Sequence, residues 1–156
     1  MKTAYLIIIG DEILNGLTLD KNSNYLAYHL NDAGLDVTGI TIINDQEAAI
    51  HKAFKEGLAQ ADVVISTGGL GPTKDDITKA TMAEIFDCNI TFNDTARQYV
   101  EDYLKDRNIS LEGLNKGHAY LPEKAEPLQN KQGTAPGILI DENDKVAIAL
   151  PGVPAE

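Results

Sequence analysis

Apolar runs of strand length alternate with segments of helical period along the first two thirds of this chain, and few folds accommodate that alternation. Ala4–Ile9 is apolar at every position, as a strand covered on both faces must be. Ser23–Ala33 places Leu26, Leu30 and Ala33 on one helical face, and Gly34 follows where a helix-ending glycine belongs. Val37–Ile43 is rich in β-branched residues and reads as a second strand. Gln46–Gln60 carries Ile50, Phe54 and Leu58 at the spacing of an amphipathic helix. Asp62–Ser66 reads as a third strand, and Ile77–Phe86 and Thr95–Lys105 as further helices. Asn108–Pro127 is irregular, and Gly137–Asp141 and Lys145–Leu150 then flank Glu142-Asn143-Asp144 as a hairpin. The order predicts an α/β fold: a three-layer sandwich whose sheet is mostly parallel, with an antiparallel hairpin at its edge.

In such sheets ligands bind beyond the carboxyl ends of the strands. Three unusual loops fall there: Gly10–Gly16, Asn44–Gln46 and Gly68–Asp76. The last belongs to the stretch STGGLGPTKDDIT (66–78), where Gly68, Gly69 and Gly71 occupy three of four positions. It is not a Walker A loop, because Lys74 follows Thr73 and precedes Asp75, nor does it match the dinucleotide fingerprint, whose third glycine is here Lys74. A glycine-rich turn into a helix N-terminus still aims unpaired N–H groups at one point, which suits an anion. A tight turn capped by Asp75 or Asp76 would explain part of the pattern. One carboxylate suffices for a cap, however, and two stand together; with an anion bound, they could place a metal or a general base beside a phosphate. Asp11 and Glu12 read equally as solvated charge, and Asp45, with Asn44, as a helix cap.

The formal net charge of −11 argues against a nucleic-acid partner. No apolar run approaches the roughly 20 residues of a membrane span, and the short apolar start lacks the features of a signal peptide. Cys88 is the single cysteine, so no intrachain disulfide forms. These features fit a cytoplasmic protein. His29, His51 and His118 have no metal-ligand spacing, and no nucleophile elbow occurs.

Thr67–Thr73 followed by Asp75-Asp76-Ile77-Thr78 resembles the signature of the molybdopterin-binding domain of the MoaB/Mog type. The variant most similar is the N-terminal domain of the competence/damage-inducible CinA family. The resemblance extends to Gly10–Leu14 with Gly16, the helix start Asp20–Asn24, Asn44-Asp45, Gly133–Gly137 and Leu150–Pro154. It therefore spans the chain and implies one domain over 1–156, expected to be part of a longer protein. It further implies that a nucleotide or pterin phosphate is held by Gly10, Asp11, Glu12, Thr67, Gly68, Gly69, Gly71, Pro72, Thr73, Lys74, Asp75 and Gly152, with Asp45 and Asp76 as the catalytic and metal-holding pair. The activity it implies is hydrolysis of ADP-ribose or a related nucleotide diphosphate with Mg²⁺, or Co²⁺ or Mn²⁺ in its place. The alternative is a module that binds pterin or nucleotide without turnover. A homo-oligomer, dimer or trimer, is also implied. His118 departs from the family pattern, and the residues around it read as a surface loop.

Overall fold

The computed structural model describes residues 1–69, 75–110 and 116–152, and only the backbone of Asp75, Asp76 and Lys116. Its principal sheet has six strands in the order β2-β1-β3-β8-β7-β6. These are β1 (Thr3–Ile9), β2 (Asp36–Ile43), β3 (Val63–Thr67), β6 (Glu126–Leu128), β7 (Gly137–Glu142) and β8 (Lys145–Leu150). The helices are α1 (Asp11–Leu14), α2 (Asn22–Asp32), α3 (Glu47–Gln60), α4 (Asp75–Ile85) and α5 (Asp94–Asp106). β4 (Ile90–Phe92) and β5 (Tyr120–Pro122) form a separate antiparallel pair.

β1 is parallel to β2 and β3, and β3 to β8, so all four end at the same edge of the sheet. β7 and β6 continue it antiparallel. The hairpin turns at Asn143 and Asp144, with φ of 55° and 61°, the left-handed pair of a two-residue turn matched to strand twist. β1 lies between β2 and β3 and is apolar from Ala4 to Ile9 because both its faces are covered. Ile7 and Ile9 pack with Ile50 and Phe54 of α3 and Met82 of α4. Leu6 and Ile8 are buried on the opposite side, the side of α2. β2 is an edge strand, and its alternate residues Ile40 and Ile42 remain exposed.

From β1 the chain first crosses to β2, then returns past β1 to β3. Crossovers of one hand in opposite directions put α2 and α3 on opposite faces. The reversal leaves a crevice between the ends of β1 and β3, where ligands of such sheets lodge. The sandwich anticipated from the sequence is thus the observed fold. Gly34, at φ 91°, ends α2 as expected, with Leu35 N–H reaching back to the Leu30 carbonyl.

Two local readings change. The irregular stretch after Asn108 contains β5 and a 3-10 turn at Lys116–Ala119, elements too short to show a period. His118 lies in that turn and is 3% exposed, not on a surface loop. The Lys79 ammonium of α4 donates to the Gly117 carbonyl at 2.7 Å, which draws the segment against the body of the domain.

Candidate functional site

The strand ends converge more tightly than side chains would allow. A Cβ built on Gly68 would stand 2.1 Å from the Ile9 carbonyl oxygen, and one on Gly152 would stand 2.8 Å from the Gly68 Cα. The ends of β1, β3 and β8 therefore touch backbone to backbone. Gly68 N–H donates to the Leu150 carbonyl (3.1 Å), and Gly10 N–H to the Ile43 carbonyl (3.1 Å), which stitches β2 to the same edge. Gly68 and Gly69 have φ of 89° and 72°, so the chain leaves β3 in successive left-handed residues that an L side chain rarely adopts. The chain then enters α4, whose backbone begins at Asp75. Gly71, Pro72, Thr73 and Lys74 lie outside the described residues, as do the side chains of Asp75 and Asp76.

Beneath the glycines lie two buried hydroxyls, Ser66 Oγ and Thr78 Oγ1, neither with a hydrogen-bond partner among the described residues. Thr78 Oγ1 would be 2.7 Å from a Cβ on Gly69, so its hydroxyl lies against the glycine turn itself. A buried hydroxyl without a partner costs about 1–3 kcal/mol, a cost that a bound anion accepting from it would relieve.

The carboxylates at this edge divide by role. Asp11 opens α1, and its Oδ1 accepts the backbone N–H of Asp45 at 3.2 Å, which ties the β1 and β2 loops together. The expectation that Asp45 caps the next helix does not hold. The N-cap of α3 is Gln46, which makes no side-chain cap bond. Asp45 is half-buried, whereas Asp11 and Glu12 are exposed. Glu12 folds back toward Gly10, its Oε1 2.7 Å from where a Gly10 Cβ would be.

Asn22, in the first turn of α2, also belongs to the site. Its amide donates to the Gly152 carbonyl (3.0 Å) and, at 3.4 Å, to Thr67 Oγ1 at the end of β3. The α2 start is fixed by Asp20, whose carboxylate accepts from the N–H and hydroxyl of Ser23. Neither Asn22 nor Thr78 stands out in the sequence as a site residue. Their signal is position, Thr78 inside the glycine-loop stretch and Asn22 beside a capping aspartate. The structure brings Gly10, Asp11, Thr67, Gly68, Gly69 and Gly152 to one edge with Asp45. Oxygen donors and backbone N–H groups dominate there. Among the described residues, no three His, Cys, Asp or Glu side chains form a ready-made metal cluster.

Comparison with known proteins bears on the family and the fold. The family described as "Probable molybdopterin binding domain" matches residues 5–156. A CinA-like protein of Syntrophomonas wolfei is 42% identical over 156 residues, covering 100% of this chain and 38% of that protein. The crystal structure of CinA from Thermoplasma acidophilum, described as of unknown function, superposes with a TM-score of 0.85 at 32% identity, covering 99% of this chain and 90% of that one. The tungsten cofactor synthesizing protein MoaB of Pyrococcus furiosus shares the fold, with a TM-score of 0.57 at 22% identity over 97% and 82% of the two chains. The chain thus spans well under half the length of its CinA-like relative.

Proposed function

Because the chain belongs to the family of probable molybdopterin binding domains, we propose that its strand-end crevice binds a nucleotide or pterin phosphate and hydrolyses ADP-ribose, or a related nucleotide diphosphate, with a divalent metal. The observation that carries this reading is the close backbone packing at Gly68 and Gly152, with the Thr78 hydroxyl, which has no partner among the described residues, against Gly69. Such an edge excludes side chains and offers hydrogen-bond donors, which is what an anion requires. The pyrophosphate would rest on N–H groups of the glycine turn beyond Gly68, whose own N–H is bonded to the Leu150 carbonyl, with Lys74 as an additional positive charge.

The donor set fits a hard cation. The Asp45 N–H bond to Asp11 Oδ1 keeps a second carboxyl beside the Asp45 backbone. Mg²⁺ commonly takes one or two carboxylates and completes its shell with substrate phosphate and water. Asp45 and Asp76 would hold Mg²⁺, or Co²⁺ or Mn²⁺ in its place, which when bound offsets phosphate charge and lowers the pKa of the attacking water. Either aspartate could serve as the base that takes the proton. Water would add across the P–O–P bridge, yielding AMP and ribose 5-phosphate.

The test is incubation with ADP-ribose, with and without Mg²⁺, Mn²⁺ or Co²⁺, alongside an Asp76→Ala variant. AMP that forms only with metal and is absent with the variant supports the hydrolase. Thermal stabilisation by ADP-ribose with no AMP reduces the site to a binding module. The absence of both signals overturns the phosphate reading.

A further inference from the structure

The first turns of α2 carry a feature that phosphate binding does not use. A cavity of about 640 Å³ opens there, lined by Leu19, Asn22, Asn24, Tyr25, Tyr28 and His29 among others. Leu26 and Leu30 are half-buried, while the two tyrosines stand clear, 64% and 69% exposed. They are nevertheless braced. The His29 ring lies 4.2 Å from Tyr25, tilted by 49°, and 5.2 Å from Tyr28, edge-on at 87°. Two large rings held in defined orientations and left open to solvent form a platform.

Asn22 joins this platform to the crevice. It lines the cavity, and its amide also bonds the Gly152 carbonyl, next to Gly68. A molecule with its phosphate on the glycine turn would have its other end directed along Asn22 toward the tyrosines. We propose that this cavity takes the planar heterocycle, purine or pterin, of the phosphate ester bound at the glycines, with Tyr25 as its stacking face. The inference rests on the phosphate reading for the ligand's orientation. Stacking on aromatic side chains is tolerant of ring identity, because every such ring presents a π face. The Asn24 amide adds a donor and acceptor matching the N6/N7 edge of adenine. Asp20 and Lys21 both line the cavity, so their charges offset each other and the aromatic faces are left to set what binds.

Calorimetric titration with AMP, ribose 5-phosphate, adenosine and 6-hydroxymethylpterin separates the two ends of the ligand. AMP should bind about 10-fold tighter than ribose 5-phosphate, the order of a single base stack. Tyr25→Ala should erase that advantage and leave ribose 5-phosphate affinity in place, and Tyr25→Phe should restore it. Adenosine against hydroxymethylpterin then decides between purine and pterin. Adenosine or pterin binding that Tyr25→Ala abolishes upholds the cavity even if ribose 5-phosphate fails to bind, and that failure overturns the phosphate reading alone. AMP no tighter than ribose 5-phosphate, with neither adenosine nor pterin bound, overturns the cavity whatever the phosphate does. Equal weakening of AMP and ribose 5-phosphate by Tyr25→Ala also overturns it.

Discussion

Replacing Gly68 with alanine tests whether the crevice is built by backbone contact. The new methyl carbon would stand 2.1 Å from the Ile9 carbonyl oxygen, and backbone on both sides cannot rotate away. The residue would also keep a φ of 89°, which for an L side chain costs about 1–2 kcal/mol. Forcing the strand ends apart adds about 1–3 kcal/mol, the usual cost of overpacking. The sum, about 2–5 kcal/mol, is a large share of the ~5–15 kcal/mol that holds a domain together. At about 2–4 °C per kcal/mol for this size, Tm should fall by roughly 4–20 °C. Gly16→Ala is the control, because Gly16 has a similar φ of 81° with nothing within 4 Å of its added carbon. It should lose only the backbone term, about 1–2 kcal/mol or roughly 2–8 °C. Circular dichroism melts of both variants give the comparison directly. If the two fall by the same amount to within about 2 °C, the steric argument fails and the approach of β1 and β3 is looser than described.

Other perturbations read different parts of the molecule. At about 100 times its Kd, ADP-ribose with Mg²⁺ should stabilise the protein by about 2.7 kcal/mol in a melt, and Asp45→Asn should lose most of that gain; an unchanged shift would remove Asp45 from the metal site. Asn93 caps α5 by accepting from the Ala96 N–H at 2.9 Å, so Asn93→Ala should cost about 1 kcal/mol and lower Tm by roughly 2–4 °C, with Asn93→Asp near neutral. Asp62 is held below its ordinary 3.8 chiefly by the Thr3 N–H bond, against the opposing effect of burial, with the Thr3 hydroxyl, Lys2 and Lys145 adding smaller pulls. A lowered carboxyl pKa stabilises above the unfolded value and loses that contribution as pH falls through the folded one. The wild type should therefore lead Asp62→Asn in urea midpoint at neutral pH, and the gap should close below about pH 3.8; a gap that persists there would contradict the assignment.

The long elements were legible because their burial is one-sided or complete. Ala4–Ile9 reads as a strand since β1 is covered on both faces, and Ile50, Phe54 and Leu58 recur where α3 meets the sheet. The β4–β5 pair was not legible. It has three residues per strand, and β4 is wholly exposed, so no periodic pattern records it. His118 misled for a related reason, since a histidine after Lys116 and Gly117 looks solvated until α5 and α4 pack against its turn.

The glycine loop, the aspartate-bearing turns and the alternation of strands with helices were set locally, by residues whose backbone freedom, capping and period act over a few positions. That Asp11 lies beside Asp45, that Thr78 sits under Gly69, and that Asn22 spans Thr67 and Gly152 was decided only when the strands aligned. Those pairs are 34, 9, 45 and 130 residues apart in the chain. The registers of β1 against β2 and β3, and of β3 against β8, bring them into contact, and burial of both faces of β1 fixes its part of that alignment.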